Sequence, residues 1–216
     1  MPGTTSIRSF RPLRRLARRI ADCNRGVAAI EFGMIVPIMF MLFIGSVEFS
    51  QAITVDRRVT QVASSMADLV SRQTTVTSAQ LLGYTGIINE LLTPYPSVPL
   101  KMTVVSVYAC PSANTTITTA CPNPTYPATP TSFTVCWSYN GPNGGTTSYT
   151  NGGPYAGLPA GIISAGTSVI VAEVTYSYTP VLFHYFISTS LPMSEKFYLK
   201  PRLSNDVQLD STKCLS

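Results

Sequence analysis

VAAIEFGMIVPIMFMLFIGSV, residues 27–47, is an apolar stretch of 21 residues with a single charged side chain, Glu31. As an α-helix, with about 1.5 Å per residue, it would extend roughly 32 Å, enough to cross a hydrocarbon core of about 30 Å. Pro37 is compatible with such a helix because neighbouring groups in membrane helices satisfy the carbonyl that proline leaves free. The stretch therefore predicts one transmembrane helix.

The charges on either side of this helix predict its orientation. Residues 1–26 contain seven arginines and one acidic residue, Asp22, whereas the eight residues after Val47 contain no basic residue. By the positive-inside rule, the N-terminus stays in the cytoplasm and everything after Val47 lies outside it. We therefore expect a single-pass membrane protein.

The net charge of the chain, +5, is concentrated in this basic leader. Residues 27–216 carry eight basic and nine acidic residues, so the body of the protein is nearly neutral. A nucleic-acid-binding domain would place lysine and arginine on one folded face. We therefore expect no nucleic acid partner, and we interpret the leader as a topology signal.

Glu31 is the unusual residue of the apolar stretch. A carboxylate at the centre of a membrane costs about 2.5–3.5 kcal/mol on insertion scales, so intramembrane acids usually have a partner or a role. The alternative is that Glu31 lies near the cytoplasmic interface, since it is only four residues beyond Val27. Both interpretations stay open at this level.

The periodicity of the remaining sequence predicts an α+β fold. Apolar residues recur mainly every three or four positions across 48–72, which indicates an amphipathic extension of the first helix. Thr77 and Gln80 have capping-box spacing before a second helix at about 78–92. Alternation then predicts strands at 100–109, 133–139 and 168–178 and a weaker strand at 195–200, and it leaves 181–190 ambiguous. Proline, threonine and asparagine at 111–131 and glycine at 140–166 predict long loops. Residues 73–216 would thus form one domain with an antiparallel sheet, and Glu173 would lie on the solvent face of its strand.

Four cysteines follow the apolar stretch: Cys110, Cys121, Cys136 and Cys214. An even number in an extracytoplasmic domain is compatible with two disulfides, for which three pairings exist, and the alternative is buried free thiols. None of the cysteines forms a C-x-x-C pair and His184 is the only histidine, so no metal site is predicted.

The sequence also predicts no enzymatic activity and no cofactor. Nucleophilic catalysis requires a base beside the nucleophile, and His184 lies between Phe183 and Tyr185, a setting typical of a packed or surface histidine. No Gly-x-Ser-x-Gly or phosphate-binding glycine loop is present. Six aromatic residues could form a binding face or could pack in the sheet: Trp137, Tyr139, Tyr149, Tyr155, Tyr176 and Tyr178.

The run from Arg25 to Phe32, RGVAAIEF, resembles the processing site of Flp-type prepilins and TadE-like pseudopilins. The pattern is a glycine, four mostly small apolar residues, a glutamate and an aromatic residue. The following GMIVPI and the segment from Gly45 to Phe49 are also similar to the TadE-like family, as are VTYSYTP at 174–180 and Lys200-Pro201-Arg202.

The resemblance implies a subunit of a Tad (Flp, type IV-like) pilus in the bacterial inner membrane, with a pilin-like periplasmic domain. A prepilin peptidase would cut between Gly26 and Val27, and other pilins and assembly subunits would be the partners. Glu31, with Phe32 beside it, would serve recognition or register by pairing with a neighbouring subunit's free amine. The domain after the helix, much longer than a major Flp pilin, implies a minor subunit. The alternative is an uncleaved, signal-anchored envelope or surface-binding protein that uses the loops at 111–131 or 140–166.

Overall fold

The computed structural model describes residues 25–110, 132–159, 161–164, 166–181 and 190–212. The chain divides into two compact units, Met1–Phe49 and Ser50–Ser216. The elements in chain order are α1 (Arg25–Ser71), β1 (Thr75–Val76), α2 (Ser78–Leu92), β2 (Leu100–Cys110), β3 (Ser132–Asn140), β4 (Ser168–Tyr178), β5 (Leu191–Leu199) and β6 (Gln208–Leu209).

The predicted apolar and amphipathic segments form one continuous helix, α1, with Pro37 inside it. In the first unit this helix is long and apolar enough to cross a membrane, with a mean hydropathy of 2.4 in its most apolar window. None of that window is buried by the protein itself. Since apolar side chains avoid water, this exposed surface is consistent with a lipid or protein environment.

The second unit contains a four-stranded antiparallel sheet in the order β3-β2-β4-β5. The predicted α+β class with an antiparallel sheet is confirmed. A second, parallel pair joins β1 to β6, with Thr75 opposite Gln208. Sequence periodicity did not predict these two strands because two residues are too few to show alternation.

One face of the sheet packs against the helices. The C-terminal half of α1 contributes a buried stripe, α2 adds three buried apolar residues, and alternate residues of β2 and β4 meet them. These side chains are Val55, Val59, Val62, Met66, Val70, Leu81, Ile88, Leu92, Met102, Val104, Ile170, Ala172 and Val174. Arg58 of α1 donates to the carbonyls of Leu91 and Thr93 at 2.7 and 2.6 Å, which satisfies the C-terminal end of α2.

The N-terminal end of α2 has the predicted cap. Thr77 accepts from the backbone N–H of Gln80, and the Gln80 side chain accepts from the backbone N–H of Thr77. These two bonds satisfy amides that a helix start leaves without partners. The capping box predicted from residue spacing is confirmed.

A second cluster covers the opposite face of the sheet. Val105, Val107, Val169 and Val171 are buried there, and loop residues such as Tyr155 pack on them. The central strands are therefore buried on both faces, which explains their nearly continuous apolar sequences.

Two strand predictions need correction. The last strand of the sheet begins at Leu191 and ends at Leu199, so the predicted 195–200 segment found only its second half. Glu173 does not face solvent: its side chain is only 2% exposed. Charged residues normally remain in water, but here polar loop residues cover the carboxylate. Residues 182–189, within the ambiguous segment, lie outside the described residues.

Candidate functional site

The residues predicted for processing and register all lie at the start of α1. Gly26, Val27, Glu31 and Phe32 occupy its first two turns, and all four are exposed. A Cβ atom on Gly26 would meet nothing within 4 Å. Packing within the described part of the chain therefore does not require glycine at this position.

Glu31 is the only charged side chain between Val27 and Val47. On a helix its nearest side-chain neighbours are three and four positions away, and these are apolar, including Val27, Met34 and Ile35. A carboxylate on an apolar surface gains most from an opposite charge because Coulomb attraction is strong where the dielectric constant is low. The arrangement suits a single cation supplied from outside this helix.

Residues 26–68 match the family model described as TadE-like protein. This segment is TadE-like. The match begins at Gly26, runs through the apolar part of α1 and ends at Asp68, within the part of α1 that packs on the sheet. None of the curated proteins and none of the solved structures matches the chain.

The TadE-like likeness of residues 26–68 suggests a function related to Tad pili. The family is structural and is not known for catalysis. One N-terminal apolar helix is consistent with a single-pass membrane anchor. Pilus components and a membrane are accordingly the associations that the family likeness supports.

The tail motif Lys200-Pro201-Arg202 follows β5 and reaches the end of α1. Arg202 forms an ion pair with Asp68 at 2.7 Å, and its backbone N–H donates to the Ser71 carbonyl at 2.9 Å. Asp68 also pairs with Arg72 at 2.6 Å. These contacts fix the chain after β5 to the TadE-like helix, so a structural role accounts for this motif.

Glu173 is the centre of a second cluster, on the sheet face that the loop covers. Its Oε1 atom accepts from Tyr149 Oη at 2.7 Å and Tyr155 Oη at 3.1 Å and pairs with Lys196 Nζ at 2.8 Å. Its Oε2 atom accepts from the hydroxyls of Thr146 and Thr147, both at 3.1 Å. We call these six residues the Glu173 cluster.

The partners of Glu173 keep it ionised in spite of burial. Burial raises the pKa of this carboxyl group, but the hydrogen bonds from Lys196 and Tyr149 and the charge of Lys196 outweigh that effect, so its pKa is below the ordinary value. The hydrogen bond to Glu173 raises the pKa of Lys196. Burial, and then the neighbouring carboxylate, raises the pKa of Tyr149 and of Tyr155.

The Glu173 cluster is suited to holding the loop on the sheet and not to chemistry. Each carboxylate oxygen has at least two partners, so neither is available as a base or a ligand. Within the described ranges no three His, Cys, Asp or Glu side chains converge to hold a metal ion. Sequence analysis missed the cluster, although one signal was present: Glu173 is the first charged residue after Lys101.

The two cysteines that the structure describes do not bond to each other. Both are buried, but Cys110 lies opposite Ser132, four residues from Cys136 along β3. Four residues of a strand extend about 13 Å, whereas disulfide Cα atoms lie within about 7 Å. This register excludes one of the three predicted pairings. Cys121 and Cys214 lie outside the described residues, and disulfides that involve them stay a prediction.

Most of the aromatic residues considered as a binding face are core residues. Trp137, Tyr155, Tyr176 and Tyr178 are buried. The Trp137 indole donates to the Val207 carbonyl at 2.6 Å, and a bulge at Cys136 directs Trp137 toward the helices. Tyr139 and Tyr149 are half-buried. Packing therefore accounts for four of the six.

Proposed function

We propose that this protein is a minor pseudopilin of a Tad pilus, held in the bacterial inner membrane by α1 with its C-terminal domain in the periplasm. The observation that carries the proposal is the TadE-like match, because it begins at Gly26 and coincides with an exposed apolar helix. The seven arginines before Gly26 support the orientation.

A prepilin peptidase would cut between Gly26 and Val27. The open space around Gly26 supports this assignment, because no contact within the described chain explains a glycine there. Glycine is also among the poorest helix formers. A peptidase whose active site admits no side chain beside the scissile bond would explain why glycine occupies position 26. Cleavage would give Val27 a free amine one turn before Glu31.

The amine of one subunit and the Glu31 carboxylate of the next would then pair. The two charges would fix the axial register of neighbouring helices, and their attraction would offset the cost of placing Glu31 among apolar groups. Phe32, which is also exposed, would pack at the same contact.

The N-terminus of the protein purified from its native membrane tests processing. We expect an intact mass and an N-terminal peptide that begin at Val27. Gly26→Val should retain the leader, whereas the matched control Gly33→Val, whose Cβ also meets nothing within 4 Å, should be cleaved. A wild-type chain that starts at Met1 in cells with an active prepilin peptidase would favour the uncleaved surface-binding protein.

The role of Glu31 is tested separately in cells that contain the processed protein. Glu31→Gln preserves the size of the side chain and removes its charge, so we expect membrane insertion and cleavage to continue while piliation falls strongly. Met34→Gln, one turn further on the same exposed surface, is the control for an added amide. Normal piliation in Glu31→Gln would rule out the register role.

A further inference from the structure

No Asp, Glu, Lys, Arg or His occurs between Lys101 and Glu173, an interval of 71 residues. The interval includes β2, β3 and the loop that follows β3. An ordinary globular chain is about one-quarter charged. The composition of this interval therefore departs strongly from that of an ordinary globular chain.

Residues 141–159, which we call the neutral loop, follow β3, and the part from Thr146 to Leu158 covers the sheet face away from the helices. The loop extends the sheet beyond β3: Val135 donates to the Gly153 carbonyl at 2.8 Å, and Gly152 donates to the Val135 carbonyl at 2.7 Å. Tyr155 adds a bond to the Phe133 carbonyl at 2.9 Å. These bonds give the neutral loop a fixed backbone.

Glycines are required where the neutral loop turns. Gly144 and Gly152 have φ values of 94° and 82°, which L side chains rarely adopt. A Cβ on Gly145 would lie 2.1 Å from Asn140 Oδ1. Backbone conformation or close packing therefore favours glycine at these three positions.

The underside of the neutral loop buries the nearest carboxylate, that of Glu173. Thr146, Thr147, Tyr149 and Tyr155 bind the Glu173 carboxylate, and Lys196 at the rim neutralises it. The exposed side chains of the loop are small, uncharged hydrogen-bonding or apolar groups; the polar ones are Asn143, Thr147, Ser148, Thr150 and Asn151. The outer surface of the loop thus carries many neutral donors and acceptors.

This chemistry limits the partner. Nucleic acids and anionic lipids are bound through lysine and arginine, which the neutral loop lacks. A typical protein surface carries charges, and burying them against this loop would leave them without partners. A carbohydrate without ionic groups has hydroxyls that match neutral donors and acceptors and loses no charge solvation on binding.

We propose that the neutral loop binds a neutral polysaccharide. The exposed polar groups of residues 147–151 would exchange hydrogen bonds with its hydroxyls, and Tyr149, half-buried and held by Glu173, would offer a ring for a sugar face. Encounter with such a polymer outside the cytoplasm rests on the proposed topology. Binding itself does not depend on leader cleavage or pilus assembly.

Retention of the purified full-length chain, in detergent, on insoluble cellulose, chitin and cross-linked dextran tests the proposal. We expect retention on at least one polymer, unchanged between about 0.05 M and about 1 M NaCl because no ion pairs are involved. Loss of retention at high salt, or no retention on any of the three, would overturn the proposal.

Matched variants locate the surface. Ser148→Lys and Thr150→Lys place a charge on exposed positions of the neutral loop and should weaken binding at least about tenfold. Leu82→Lys, on an exposed position of α2 across the sheet, should bind as the wild type does. Equal polymer binding by wild type and all of these variants would show that the neutral loop is not the binding surface. Self-association that Ser148→Lys abolishes, without polymer retention, would assign the face to a second copy instead.

Discussion

Replacing Glu173 by glutamine tests whether a buried charge holds the neutral loop on the sheet. The amide oxygen can still accept from Lys196, Tyr149 and Tyr155 at the Oε1 position, and the threonine hydroxyls at Oε2 can rotate to accept from the amide nitrogen. The count of hydrogen bonds is then preserved, and the difference is the charge.

The expected loss of stability is about 2 kcal/mol. A hydrogen bond to a charged group contributes about 1.5–3 kcal/mol and a hydrogen bond between neutral groups about 1 kcal/mol. If the Lys196 ammonium group were enclosed, the loss would approach the 3–5 kcal/mol of a broken buried ion pair. However, the Lys196 side chain is 43% exposed and can turn to water. For a chain of this size about 2 kcal/mol lowers Tm by about 4–8 °C.

Thermal unfolding of the full-length protein in detergent measures this loss of stability, and proteolysis shows whether the neutral loop is the part that is released. Trypsin has no cleavage site between Lys101 and Lys196. Chymotrypsin should therefore be used, and faster cleavage at Tyr149 and Tyr155 is expected when the loop is released. Glu195→Gln on the same strand is the control. Equal Tm values, within about 1 °C, for wild type and Glu173→Gln would refute the reasoning.

The pKa shifts of Glu173 and Lys196 predict how the loss of stability in Glu173→Gln varies with pH. The pKa of folded Glu173 is lowered, so its stabilisation is complete above the ordinary carboxyl pKa and is lost as pH falls through the lower folded value. The pKa of Lys196 is raised, so its contribution is complete below its ordinary pKa and is lost as pH rises through the folded value. The difference in the free energy of unfolding between wild type and Glu173→Gln should consequently persist at neutral pH and disappear in strong acid.

Five further substitutions, at four positions, test other contacts by thermal unfolding. Gly145→Ala should destabilise the protein by about 2 kcal/mol because its Cβ would meet Asn140 Oδ1 at 2.1 Å. Gly83→Ala, with open space around it in α2, should stabilise the protein by up to about 1 kcal/mol. A Gly145→Ala variant more stable than Gly83→Ala would contradict this packing. Trp137→Phe should cost about 1–3 kcal/mol by leaving the Val207 carbonyl without its indole donor, and an unchanged Tm would show that this bond is dispensable. Thr77→Ala should cost about 1 kcal/mol through the lost cap, while Thr77→Ser should retain most of the stability.

The sequence predicted those elements whose own residues contain the full signal. The apolar stretch predicted the first half of α1, and the pair Thr77 and Gln80 predicted the start of α2 because both groups of a capping box lie within one turn. Alternation located β2, β3 and β4 to within a residue or two. In these cases the interaction that fixes the element is local.

The features that the sequence did not predict depend on distant partners. Glu173 was assigned to solvent because a lone charge in a strand usually faces water, and nothing within β4 identifies the loop hydroxyls that cover it. The short pair β1 and β6 joins residues more than 130 positions apart. The separation of Cys110 from Cys136 depends on the register between two strands and on a bulge. Each of these depends on tertiary contacts.

The extent of the TadE-like match distinguishes two parts of the second unit. The match ends at Asp68, so it includes the stripe Val55–Ala67 that packs on one face of the sheet, and it does not reach the neutral loop on the other face. A loop on a rigid sheet can vary without disturbing the helix packing, since the two clusters lie on opposite faces. The α1 face thus carries the TadE-like likeness, whereas the recognition that we propose lies on the face that carries the neutral loop. If the lysine variants of that loop assemble into pili normally while losing polymer retention, assembly and recognition reside on separate faces of one sheet.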